Sequence, residues 1–281
     1  MPLRVVVAGL TNGLGLAIAS ALLDTPDTEV IILTRRSPSS TPSIDNLISR
    51  GAVIRVVDYT SVPELTAALE GVHTVISTVF VWYDAQPGLN LIEAAKRAHV
   101  QRFAPSDFAF SSAGNASIDL YNPKRQFRAI LEESGLEYTF FKNGLFMDYL
   151  AYGSPKGYKG PLKLIHPLVV DVAAGKARIP GTGRGDGDVY EDGGCGEIVR
   201  DVESVTGRKI EVEYLSRERL GEMIEEARNG EPFELFINQL MGVFADGLAR
   251  VEPRLNGLLK DVEVMSSVRE FVVEYWSEDE S

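Results

Sequence analysis

The sequence predicts an α/β protein, a doubly wound parallel sheet followed by a smaller mixed part. Three observations carry this. Short β-branched runs alternate with helical patterns over residues 1–140, the cadence of βαβ crossovers. A glycine-rich turn joins the first of those runs to the first helix. After about residue 145 the cadence stops, and Gly and Pro cluster instead.

The elements follow in order. Residues 4–8 (RVVVA) read as a buried strand, short, β-branched and ended by Gly9. Residues 14–23 carry apolar positions at helical spacing. Residues 29–34 (EVIILT) form a second strand, followed by a Pro/Ser loop, SPSSTPS, at 37–43. A third strand covers 52–57, and Ser61 with Glu64 has capping-box spacing before the helix ELTAAL. A fourth strand covers 72–77, a helix 86–99, a fifth strand 102–105, a helix 124–134 ended by Gly135, and a sixth strand 138–141. Further on, YGSPKGYKGP at 152–161 and a segment at 181–196 with seven Gly have little to bury and much entropy to lose. A helix at 197–206, a strand at 210–216, a helix after Ser216, and helical stretches at 232–250 and 266–276 complete the chain. The expected division is residues 1–150 and 151–281.

Composition narrows the function. The 281 residues hold 28 Lys plus Arg against 40 Asp plus Glu, a net charge of −12. Such a surface repels phosphate backbones, so nucleic acid is not expected as a partner. Cys195 is the single cysteine, which leaves no internal disulfide and no cysteine zinc site. The opening MPLRVVVAGL lacks the length of a secretion signal, and no run of 18 apolar residues exists, so no membrane span is expected. The expected location is the reducing cytoplasm.

The strongest local feature is AGLTNGLGLAIASAL, residues 8–22, at the first strand–helix junction. Gly9 permits a tight turn, Gly13 or Asn12 a close approach to a pyrophosphate, and Gly15 close packing of helix on strand. Thr11 and Leu14 complete this loop, and the helix N-terminus behind it favours phosphate. The spacing is G-x-x-N-x-x-G with an extra Gly13; the bland alternative is a tight turn without ligand. The second strand ends in Arg35 and Arg36, which favour a 2′-phosphate, hence NADP over NAD, unless they are a solvated pair. Thr78, Val79 and Phe80 leave the fourth strand where a nicotinamide-side ribose would lie, or they are plain loop packing. Lys124 and Arg128 share one helical face. Lys124 is either a proton donor with a lowered pKa or a solvated charge at a helix start. A literal Tyr-x-x-x-Lys at Tyr152 and Lys156 falls in YGSPK, where Gly153 and Pro155 argue against a helix, so it reads as coincidence. His73, His99 and His166 are scattered without metal-like spacing, and no Gly-x-Ser-x-Gly arrangement supports hydrolysis.

With these residues in view, the chain resembles the NmrA-like and isoflavone-reductase-like group, atypical short-chain dehydrogenases. VVVAGLTNGLGLAIASAL, GAVIRVVDYTSVPELTAALEGVHTVIST, LIEAAKRAHVQRFAPSDFAF and KRQFRAILEESGLEYTFFKNGLFMDYL carry the resemblance, collinearly, over nearly the first 150 residues. PGTGR (180–184) and TGRKIEVEYLS (206–216) extend it weakly. The resemblance implies a Rossmann domain binding NADP(H) and a smaller substrate domain. It implies a general acid/base at Lys124, a cofactor contact at Arg128, a 2′-phosphate reader at Arg35, and closure over the nicotinamide by Asn143, Gly144 and Phe146. Three departures stand out: Asn12 replaces the family's second glycine, no Lys follows in SPSSTPSIDN, and 181–196 looks shortened by about a βα pair.

The resulting expectation is an NADPH-dependent reductase of an aromatic or secondary-metabolite small molecule. It would work as a monomer or homodimer. The alternative is a non-catalytic dinucleotide-sensing regulator that binds a protein partner.

Overall fold

A computed structural model describes residues 2–10, 13–37, 41–80, 84–110, 116–160, 162, 166–181, 195–249 and 267–277. Two compact units emerge, Met1–Ala109 with Leu120–Lys142 and Pro161–Lys163, and Phe110–Asp119 with Asn143–Gly160 and Leu164–Ser281.

The first unit holds β1 (Leu3–Ala8), α1 (Leu14–Leu23), β2 (Thr28–Thr34), α2 (Pro42–Ser49), β3 (Val53–Val56), α3 (Val62–Ala68), β4 (Thr74–Ser77), α4 (Gln86–Arg97), β5 (Arg102–Ala104), α5 (Asn122–Glu133) and β6 (Glu137–Tyr138). The six strands form one sheet in the order β3-β2-β1-β4-β5-β6, every pair parallel. This is the doubly wound class, and the order reverses between β1 and β4. β1 and β2 are the spine, with Val5, Val6, Val7, Val30, Ile31, Ile32 and Leu33 all nearly or fully buried, as near-continuous apolar runs in a parallel sheet should be. One face packs on α3, α4 and α5 through Leu65, Leu91, Phe103 and Phe127, and the other on α1 and α2 through Ala19 and Leu47. Packing is close where α4 meets α5: a Cβ on Gly88 would sit 2.3 Å from the Phe127 ring.

Three local expectations need correction. The Pro/Ser stretch at 37–43 is not loop throughout, because Thr41 caps α2 by accepting from the Ile44 amide at 3.3 Å and Pro42 opens the helix. Its composition masked a cap-plus-proline start. Ser61 does cap α3, accepting from Glu64 N at 3.3 Å, but the Glu64 carboxylate turns to the Asp58 amide at 3.0 Å, so only half of the expected box forms. The sixth strand is shorter than residues 138–141. It lies at the sheet edge beside the three-residue β5, and after Thr139 donates to the Phe103 carbonyl at 3.1 Å the chain leaves the sheet.

The second unit contains β7 (Val170–Asp171), β8 (Lys176–Pro180), α6 (Cys195–Thr206), β9 (Glu211–Leu215), α7 (Arg217–Ala227), α8 (Pro232–Ala245) and α9 (Val268–Trp276). Its sheet is mixed, β7 antiparallel to β8 and β8 parallel to β9. β7 and β8 were not foreseen, since two short strands around a Gly175 turn offer too little periodicity to read. The core gathers Leu150, Val170, Ile179, Val202, Met241 and Trp276, whose indole N–H donates to the Leu150 carbonyl at 2.8 Å. Cys195 is buried there, and loss of solvent pushes its thiol up to about 11. Tyr152 and Lys156 lie in turns rather than on a helix. The expected shortening at 181–196 falls almost wholly on residues 182–194, outside the described residues. Among the described residues no helix is long and apolar enough to cross a membrane.

Candidate cofactor and proton-transfer site

Parallel strands bring all their C-terminal ends to one edge of the sheet. The expected site residues of the first unit lie along that edge.

β1 ends in Gly9, whose φ of 96° is open to glycine but strained for other residues. Gly13 (φ 78°) stands at the cap position of α1, and among the described residues no side chain caps that helix. The first-turn amides of α1 are thus left for another acceptor, as an anion site requires. Leu14 opens the helix, half-buried. Gly15 is demanded by packing: a Cβ there would lie 1.9 Å from the Gly9 carbonyl oxygen and 2.8 Å from Thr78 Oγ1. Thr11 and Asn12 lie outside the described residues.

Thr78, at the end of β4, faces this turn. Its hydroxyl donates to the Gly9 carbonyl at 2.6 Å and lies 3.1 Å from that of Ala8. Its visible task is to tie β4 to the glycine turn. Val79 is half-buried and packs against the core, while Phe80 is 55% exposed. At the end of β2, Arg35 and Arg36 are exposed, and Thr34 shapes their turn by receiving the Arg36 amide at 3.1 Å. Two guanidinium groups at that strand end have the donor chemistry a 2′-phosphate needs.

A cluster of charged side chains lies beyond β5 and β6. Lys124, in the first turn of α5, is half-buried, its Nζ donating to the Ser106 carbonyl at 3.1 Å and standing 4.8 Å from the centre of the Tyr121 ring. Burial pushes Lys124 down to about 8, opposed by the Asp107 carboxylate and reinforced by the Lys142 ammonium. Asp107 is 2% exposed and is ion-paired with Lys142, itself 15% exposed. Desolvation also pulls Lys142 below the usual lysine range, against the attraction of Asp107. Arg128 lies one turn after Lys124, stacked 4.2 Å from the Phe140 ring and 3.6 Å from Glu132.

Asn143 belongs to the second unit, exposed, with its amide donating to the Gly144 carbonyl at 3.3 Å. Of the histidines, His73 bonds Thr74 at 2.8 Å, His99 ends α4 in a left-handed turn (φ 54°), and His166 bonds the Pro167 carbonyl at 2.7 Å. Among the described residues no group of three His, Cys, Asp or Glu is placed to hold a metal ion.

Sequence reasoning missed Asp107 and Lys142. A signal was present: each is a charge within two residues of the end of an expected apolar strand, FAPSD and YTFFK, and adjacent strands bring such positions together.

A parallel sheet in this order, with a glycine turn between β1 and α1, defines the Rossmann-type class of α/β proteins. Within that class the chain belongs to the NmrA-like family, whose model matches residues 1–160. Oxidoreductase BOA1 of Botryotinia fuckeliana (strain B05.10) is 36% identical over 158 residues, 52% of this chain and 50% of that protein. The chain therefore spans about half the length of this relative. Quinone oxidoreductase 2 of Escherichia coli (strain K12) is 27% identical over 227 residues, 75% of this chain and 78% of that protein. Among solved structures, the binary complex of leucoanthocyanidin reductase with NADPH from Vitis vinifera shares the fold at a TM-score of 0.68 and 20% identity, covering 97% of this chain and 99% of that one.

Proposed function

We propose that the protein is an NADPH-dependent oxidoreductase in which Lys124 moves the proton. The observation that carries this is the lysine itself: an amine held at the C-terminal edge of a Rossmann sheet, with burial bringing it down to about 8. A group with that pKa exchanges protons readily near neutral pH.

The described residues fit the cofactor. Gly9, Gly13, Leu14 and Gly15 shape a turn with uncapped helix amides for the pyrophosphate, and Thr11 and Asn12 complete its sequence. Arg35 reads the 2′-phosphate with Arg36 beside it. Val79 and Phe80 follow β4 toward the nicotinamide-side ribose, and Thr78 holds the turn they face. Arg128 and Asn143 are assigned the remaining cofactor contacts on the family resemblance. When bound, NADPH supplies hydride. The chain's own share is to orient the cofactor and to hold a proton at Lys124 Nζ for the substrate.

The oxidoreductase names of the two curated relatives support this reading over a non-catalytic sensor with a protein partner. Of the solved neighbours, one carries NADPH and another NADP+ with (+)pinoresinol, which supports a small aromatic or secondary-metabolite substrate. The near absence of cysteine fits action in the cytoplasm.

The test is direct. Purified protein is titrated with NADPH and NADH, then offered quinones, enones and benzylic ethers while NADPH oxidation is followed. Tight NADPH binding with turnover on at least one class is expected. Binding with no turnover across the panel would move the assignment to the sensor.

A further inference from the structure

The site contains a second half-buried lysine. β5 and β6 are neighbours, and the segments leaving them stay joined: Phe108 stacks on Phe141 at 5.9 Å between ring centres, and the adjacent residues, Asp107 and Lys142, form the ion pair. Asp107 is thereby offered to two ammonium groups. Lys142 holds it directly, whereas Lys124 bonds the carbonyl of the preceding residue, Ser106, at 3.1 Å. A carboxylate that is 2% exposed cannot be left to water and strongly favours a cationic partner. We propose that Lys142 is a positioning residue for Lys124: by occupying the Asp107 carboxylate it keeps the Lys124 ammonium on the Ser106 carbonyl and releasable as a proton donor. This rests on the reading of Lys124 as the proton-transfer group.

Among the described residues, these charged groups face the pair. Asp107 follows β5, Lys142 follows β6, and Lys124 and Arg128 come from α5, Arg128 being turned to Glu132 and the Phe140 ring. Lys142 acts on Lys124 in two ways that share a sign. Its own charge repels a second ammonium, and its pairing blunts the pull of Asp107. Removing it leaves Asp107 acting on Lys124 alone of the two lysines, so Lys124 should bind its proton more tightly.

The test reads Lys124 itself. The full-length protein, labelled with carbon-13 at lysine Cε and free of cofactor, is titrated by NMR, with the Lys124 signal assigned by its loss in Lys124→Arg. Lys142→Met should raise the Lys124 midpoint by about 1 unit or more, in the range a nearby opposite charge produces. Lys142→Arg, which restores the cation, should return it toward the wild-type value, and Asp107→Asn should move it downward. A Lys124 midpoint unmoved by Lys142→Met would overturn the proposal, whatever Asp107→Asn does. If Lys142→Met fails to fold, Lys142→Gln, which also removes the cation but keeps a polar end, is read in its place: a raised Lys124 midpoint supports the proposal and an unmoved one overturns it. The alkaline limb of NADPH turnover is measured beside the titration. A limb that ignores the shift in Lys124 would fault the proton-transfer reading and not the pairing.

Discussion

A lysine in water stays charged to beyond pH 10, and it gives up a proton too reluctantly to work at neutrality. Lys124 escapes this because burial penalises its charged form, while Asp107 prevents complete neutralisation. Replacing it with Ala should lower kcat by roughly 100-fold or more, the usual share of a positioned acid or base. NADPH affinity measured by calorimetry should stay within a few fold, and a parallel loss of binding would mean that Lys124 serves the cofactor instead. If its protonated form is the working one, kcat/KM should decline as pH rises through about 8. A profile flat from pH 7 to 9.5 would contradict that role. Arg35 offers a different residue-scale test. Arg35→Glu places a like charge where the 2′-phosphate is assigned, so the preference for NADPH over NADH should fall by about 10-fold or more, a like-charge clash across a site. An unchanged preference would remove Arg35 from that role.

Single elements are constrained more by packing than by chemistry. The β1 turn, the first turn of α1 and the end of β4 are fastened together at Gly9, Gly15 and Thr78, and the added methyl of Gly15→Ala would overlap the Gly9 carbonyl at 1.9 Å. That contact is with backbone, which cannot swing aside. The substitution should destabilise the first unit by roughly 2–3 kcal/mol, as overpacking commonly does. Calorimetry should show the lower Tm, and NADPH titration a weakened Kd. A variant with wild-type Tm and Kd would show that the turn is looser than described. Other elements explain where sequence reading succeeded. β1, α1 and β2 were legible nearly to the residue because β-branched runs and helical spacing are local signals. α2 was hidden by its Pro/Ser approach, and β7 and β8 are too short to have a period.

At the scale of the whole molecule, each unit has its own core, one around the parallel sheet and one around Leu150, Val202 and Trp276. Cofactor binding to the first unit should therefore stabilise that unit selectively. At NADPH 100-fold above Kd the gain is about 2.7 kcal/mol. In urea this should raise the midpoint of the first unit's transition by roughly 1–2 M, given typical m-values. Fluorescence and hydrogen exchange can follow the two units separately. A cofactor that moved only the second unit's transition would place the dinucleotide site wrongly.

The sequence by itself determined the sheet class, the glycine turn, the arginines after β2 and the lysine at the start of α5. Each of these is encoded within a short stretch of chain, as a period, a cap or a strand end. The tertiary structure alone decided what the side chains do with one another. Thr78 proved to be fastened to Gly9 across 69 positions of sequence, and Lys142 to Asp107 across 35. Neither pairing has a local signature, because it exists only once parallel strands are laid side by side and their ends are brought to one edge. The same placement draws Lys124 partly out of water, and it is the loss of solvation, which no residue type carries by itself, that turns an ordinary lysine into a candidate proton donor.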